Sequence, residues 1–198
     1  ARQGAVQIVN DLCKAPADKS IRPYSEGPTD TRVGVRYKYV YNNIYFKVAT
    51  DDHGIYNGSD EFSAKAAGLE VKGSLGYFKC HIPKLGVPLQ AVVDYYGFRV
   101  FCCSMCPIKR TLFNEQGEVK KDVEDRVYGT DDRGKKIKST NKHLEQKLQQ
   151  AAKKMNLARH GVKGEDDLTV KYVPSAADMK GYKAPDGNFY VLNFRRSL

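Results

Sequence analysis

Apolar and polar positions alternate strictly from Val33 onward. Val33, Val35, Tyr37 and Tyr39 take turns with Gly34, Arg36 and Lys38, and a period of two marks a strand with one face buried. A second β-rich run, "IYFKVAT", follows Asn42 and Asn43. Asparagine tolerates the positive φ of a tight turn, so this pair closes an antiparallel hairpin. "LQAVVDY" and "FRVFCCSM" repeat the arrangement around Tyr96 and Gly97. Near the end, "DLTVKYV" and "MKGYKAPDGNFYVLNFRR" read as β again, with Asp186 and Gly187 as the turn signal. Thr111–Phe113 and Arg126–Tyr128 read as short strands on either side of a charged excursion.

The period changes once. Over Asn141–Ala158, Leu144, Leu148, Ala151, Ala152 and Met155 share one helical face, with Lys147, Gln150 and Lys154 away from it. Residues 51–64 read as a loop or short helix, and "LEVKGSLGYFKCHI" has no decisive period. Residues 14–32 are rich in Pro, Ser and charge. Residues 1–32 are therefore assigned to an N-terminal arm and residues 33–198 to a single α+β domain, antiparallel hairpins packed with one main amphipathic helix.

Composition agrees with a folded domain: 198 residues, 41% hydrophobic, with thirteen Tyr and no Trp. No apolar run approaches the roughly 18 residues of a spanning helix, and "ARQGAVQIVNDL" lacks the layout of a signal peptide. The five cysteines are an odd number in a chain long enough to do without staples, so reduced thiols and a cytoplasmic setting are expected. A net charge of +10 favours an acidic partner: RNA, an acidic protein surface or anionic lipid.

Charge matters most where it clusters. Arg133, Lys135, Lys136 and Lys138 lead into a helix carrying Lys142, Lys147, Lys153 and Lys154, and Arg195 and Arg196 follow near the C-terminus. Such density suits phosphate binding, because each neutralised phosphate releases counterions. Exposed tyrosines add faces on which single-stranded bases stack.

Catalytic and metal chemistry are less well served. Cys103 and Cys106 make one C-x-x-C pair, but structural zinc takes two spaced pairs, and Cys80 and His81 are adjacent. Cys102 and Cys103 are neighbours on a strand, so they face opposite sides and read as small apolar residues in a packed sheet. Ser104 lacks a G-x-S-x-G setting, and neither phosphate-binding glycine loop is present. "APDGNFYVLNF" echoes a hairpin of kinase-like phosphotransferases, where a carboxylate after an apolar strand holds magnesium. Here that position is Asn193, and a nucleotide-binding alternative would use Lys47, Asp178 and Asn193.

Four motifs, in order, resemble the Clu domain of the clustered-mitochondria family. "YNNIYF" is similar to its aromatic-Asn-Asn-Ile-aromatic segment, carrying Tyr41 and Asn42. "VVDYYGFRVFCCSMCPI" resembles its Val-Asp-Tyr-x-Gly-x-Arg-Val strand pair and Ser-x-x-Pro element, through Asp94, Tyr95, Gly97, Arg99, Ser104 and Pro107. "VYGTDDRG" matches a Val-Tyr-Gly turn at Tyr128 and Gly129, and the final segment matches at Lys180, Gly181, Asp186, Gly187 and Arg195. Asn193 stands where the family usually has Asp, and Ile108 where it has Gly. The resemblance implies a non-catalytic binding or scaffolding module, without a cofactor, from proteins that distribute mitochondria and bind messenger RNA. The motif residues themselves read as mostly structural: Gly97, Gly129 and Gly187 suit turns of positive φ, and Asp94 and Arg99 flank one hairpin turn within pairing reach.

Overall fold

A computed structural model describes residues 1–15, 18–23, 38–51, 54–108, 126–130 and 136–197. The expected strand at Thr111–Phe113, the first half of the strand from Val33, and Arg133 and Lys135 lie outside the described residues. In chain order the elements are α1 (Arg2–Asn10), β1 (Lys38–Tyr41), β2 (Ile44–Val48), α2 (Asp60–Lys79), β3 (Leu85–Gly86), β4 (Gln90–Tyr95) and β5 (Phe98–Ser104). There follow β6 (Arg126–Thr130), β7 (Ile137–Ser139), α3 (Lys142–Lys154), β8 (His160–Val162), β9 (Lys171–Val173), β10 (Lys180–Lys183) and β11 (Phe189–Leu192). The architecture is α+β and the chain forms two compact units, with α2 contributing residues up to Val71 to the first and from Lys72 to the second.

The first unit is built on a four-stranded antiparallel sheet in the order β1-β2-β5-β4. Both of its hairpins turn as the sequence indicates: Asn42 and Asn43 take φ of 49° and 57°, and Tyr96 and Gly97 take 49° and 81°. One face of the sheet presents Phe46, Val48, Val100 and Cys102 to a buried cluster that includes Ala5, Ile8 and Val9 of α1. Residues 2–10 are therefore a packed helix, where an extended arm was expected. Its apolar positions recur at i, i+3 and i+4, but over only nine residues and with no capping side chain, too short a signal to stand out.

The second unit holds a five-stranded sheet in the order β3-β11-β10-β6-β7, parallel only at β3–β11, and a separate β8–β9 hairpin. Helix α3 lays Leu144, Leu148, Ala151 and Ala152 into its core. The Asn141 side chain accepts the Leu144 N–H at 3.1 Å and starts the helix. Asn156, at φ 56°, stops it short of the expected Ala158.

The larger surprise is α2, a 20-residue helix where the sequence suggested a loop or short helix followed by an ambiguous run. It leaves Phe62, Leu69, Leu75 and Phe78 about half exposed, so no polar face betrays it. It also contains Gly68, Gly73 and Gly76, residues that weaken helices. Gly73 has a packing reason: a Cβ there would sit 2.3 Å from the Phe194 carbonyl oxygen.

Candidate functional site

In the first unit, the β4–β5 turn and the start of α2 enclose a cleft of about 480 Å³ lined by Thr50, Asp60, Glu61, Lys65, Asp94, Phe98 and Arg99 among others. Arg99 organises it. Its Nε and Nη2 donate to the two Asp94 oxygens, both at 2.7 Å, and Nη1 donates to the Ala64 carbonyl of α2 at 3.2 Å. The guanidinium holds the Asp94 carboxyl below its usual range, and the carboxylate raises Arg99 in turn. Glu61 is lowered the same way by Lys65, 2.7 Å away. Each cation lining the cleft thus has a carboxylate partner. Next door, Asp51 accepts the N–H groups of Tyr56 and Gly58, both at 2.8 Å, and fixes the loop that leads into α2.

The cysteines divide as a packed strand requires. Cys102 is buried in the first unit's core, and burial pushes its thiol up to about 11. Cys103, on the opposite face, lies 4.0 Å from the Gln90 amide. Cys80, in the second unit, is also buried and raised by burial. Among the described residues no three His, Cys, Asp or Glu side chains gather to hold a metal.

Among the described residues, the second unit's basic residues that the sequence singled out for binding sort into three groups. Lys136, Lys142 and Lys153 are exposed and Lys138 half-buried, placed on β7, just before it, and on the outer surface of α3. Lys147 and Lys154 instead reach back to the end of α2, donating to the carbonyls of Pro83 and Cys80. Arg195 and Arg196 each approach the same Asp178 oxygen at 3.5 Å. This bears on the nucleotide alternative. Asp178 faces two guanidinium groups, the Asn193 amide donates to the Asp178 backbone carbonyl at 3.3 Å, and Lys47 belongs to the other unit.

The remaining motif residues act through packing and turns. The Tyr128 hydroxyl is buried 2.7 Å from the Ser175 hydroxyl, and burial raises it to about 12. A Cβ on Gly129, at φ 102°, would lie 2.0 Å from the Met179 carbonyl oxygen. One on Gly181 would lie 2.6 Å from Leu144 Cδ2, so Gly181 lets α3 seat on the sheet beside half-buried Lys180. Asp186 accepts from the Asn188 backbone at 2.9 Å and the Tyr190 hydroxyl at 2.8 Å, closing the β10–β11 turn around Gly187. Tyr41 stays exposed at the β1–β2 turn, and Tyr95 packs against the first unit's core. Sequence reasoning missed Asp51, Lys65 and the Ala64 carbonyl, all tied to the unrecognised α2; only Ser59 followed by Asp60 and Glu61 hinted at a helix start.

These features define an α+β module in which a nearly neutral unit, braced by a buttressed arginine, is joined to a strongly basic one. The chain belongs to the clustered mitochondria (CLU) family, whose model matches residues 1–198. It is 30% identical over 167 residues to a clustered mitochondria protein homolog of Caenorhabditis elegans, covering 82% of this chain and 13% of that protein. A Danio rerio homolog of the same name is 30% identical over 163 residues, 81% of this chain and 11% of that protein. Protein clueless of Drosophila virilis is 32% identical over 163 residues, 81% and 10% respectively. The chain thus spans about a tenth of the length of the curated relatives it matches. No solved structure matches it. No helix among the described residues is long and apolar enough to cross a membrane.

Proposed function

We propose that this chain is a binding module, without catalytic chemistry of its own, within a larger cytoplasmic protein linked to mitochondrial distribution, and that its ligand is RNA. The observation that carries the reading is the division of charge. Acidic and basic residues balance in the first unit, so essentially all of the +10 falls in the second. There Lys142 and Lys153 stand exposed on α3, whose other side is locked into the core by Leu144 and Leu148, and Lys136 and Lys138 continue the strip along β7. A rigid helix presenting lysines outward follows a phosphate backbone without ordering a loop. Lys147 and Lys154 hold that helix in place from its margin. Arg133 and Lys135 precede these lysines in the sequence, and they, with Arg195 and Arg196, are further proposed contacts for the same ligand.

The test is fluorescence anisotropy with a single-stranded RNA across a salt series, comparing the wild type with Lys136, Lys138, Lys142 and Lys153 all changed to Glu. Micromolar binding with a steep salt dependence, abolished by the four changes, supports the reading. Absence of binding at low salt removes RNA and leaves an acidic protein surface as the ligand to try on the same strip.

A further inference from the structure

The sheet of the first unit has two edges, and they are treated differently. On β1, Pro23 makes an isolated bridge to Tyr39, and Lys38 opens the strand. Proline and lysine are the residues that discourage further strand pairing at an edge. The other edge is β4, with the sequence Gln-Ala-Val-Val-Asp-Tyr. It contains no proline, lysine or bulge, and it pairs with β5 in unbroken register from Gln90↔Cys103 to Tyr95↔Phe98. Among the described residues no strand lies beyond it.

The register shows which backbone groups are left over. Tyr95 and Phe98 close a turn of two residues, and the Ser104 N–H donates to the Leu89 carbonyl at 2.9 Å. Hydrogen-bonded pairs alternate along an antiparallel ladder. Leu89, Ala91, Val93 and Tyr95 therefore turn their N–H and C=O groups toward β5. Those of Gln90, Val92 and Asp94 point outward.

We propose that the β4 edge is a self-association surface, on which a second copy of this chain adds its own β4 antiparallel about a two-fold axis at Val92. That register aligns the outward groups of the two strands. Val92 meets Val92, and Gln90 meets Asp94 in both directions. On the other face Ala91 meets Val93, small against larger, and Leu89, 70% exposed, meets Tyr95. Charge permits the contact. The only ionised side chain on the strand is Asp94, already neutralised by Arg99, and the unit that carries it is close to neutral. A second copy is favoured as the occupant because this strand is complementary to itself in size and charge. The contact is independent of the RNA reading, which rests on the other unit. Edge pairing buries little area, so the dimer is weak and concentration-dependent.

Sedimentation velocity of this chain from micromolar to submillimolar concentration is the test, with circular dichroism on every variant. The wild type is expected to shift from monomer to dimer. Val92→Pro removes an outward N–H without touching the β5 ladder, and Val92→Lys keeps the backbone but places like charges face to face. Either change should raise the dissociation constant at least about tenfold, whereas Val40→Lys on β1 should leave it unchanged. Opposed residues of such a pair have Cα atoms about 5.5 Å apart, within disulfide reach. Val92→Cys in a Cys13→Ser background should therefore give a Cys-to-Cys link at position 92 on mild oxidation, mapped by peptide mass spectrometry. A chain that stays monomeric throughout overturns the proposal. So does a dimer that both Val92 variants leave intact, or one that forms no link at position 92.

Discussion

Arg99 and Asp94 form a two-point ion pair across the β4–β5 turn, with both N–O distances 2.7 Å, and the third arm of the guanidinium reaches the Ala64 carbonyl. One side chain thus ties the two strands together beside the turn and fastens the hairpin to α2. Both residues are among those by which the sequence resembles the family, and the pair gives them a mechanical role in this fold.

Arg99→Lys is expected to behave almost like Arg99→Ala, because an ammonium cannot grip both carboxylate oxygens and a carbonyl at once. The Asp94 side chain is 60% exposed, so solvent screening limits the pair to about 0.5–1 kcal/mol. Urea unfolding checks this. Equal midpoints for Arg99→Lys and the wild type would show that the two-point geometry contributes nothing. The lowered Asp94 pKa makes the contribution present above the ordinary aspartate range and lost as pH falls through the folded value.

Two motif glycines should respond very differently to alanine. Gly97, at φ 81°, faces open space, so Gly97→Ala carries only the conformational penalty, about 1 kcal/mol. Gly129 adds a contact of 2.0 Å with a backbone oxygen that cannot step aside. Gly129→Ala is expected to cost more than about 3 kcal/mol or to prevent folding. Thermal unfolding of the two variants side by side decides it.

The parts of the fold legible in the sequence were those set by local rules. Asn42 and Asn43, and Asp186 and Gly187, close the expected hairpins because their backbone preferences act within four residues. Leu144, Leu148 and Ala151 marked α3 because only one of its faces is buried. Helix α2 was hidden for the opposite reason. Gly73 is chosen for Phe194, more than a hundred residues away, and apolar Phe62 and Phe78 lie on exposed turns, so no period survives. Lys147 and Lys154 illustrate the same limit in the site: periodicity turned them outward, yet their long side chains reach back to carbonyls at the end of α2.

The cysteines offer a chemical test of the packed-strand reading. Cys102 is buried with its thiol raised to about 11, whereas Cys13 is exposed. Only the thiolate reacts, so at pH 8 a colourimetric disulfide reagent should modify Cys13 within the mixing phase and Cys102 only as the first unit unfolds. Mass spectrometry of quenched samples assigns the sites. Rapid labelling of Cys102 in the native protein would show that the strand is open to solvent.

Acid stability turns on Asp11, a carboxylate that is only 1% exposed. It accepts the Ser20 N–H at 2.9 Å and the Gln7 amide at 3.1 Å, and Lys14 Nζ lies 2.6 Å away. Lys14, first among these partners, holds the carboxyl well below the usual aspartate range, against the opposing effect of burial. The folded state therefore binds this proton more weakly than the unfolded chain, and protonation favours unfolding. Its contribution is complete above the unfolded value near 3.9 and shrinks as pH falls below about 4 toward the folded value. Asp11→Asn should lower stability at pH 7 by about 1–3 kcal/mol, since the amide replaces one charged acceptor with a donor facing other donors. It should also flatten the pH dependence between about 4 and 2. Urea midpoints at pH 7, 4 and 3 for both proteins measure the difference. A wild type and variant that lose stability in parallel over that range would place the acid sensitivity in another carboxylate.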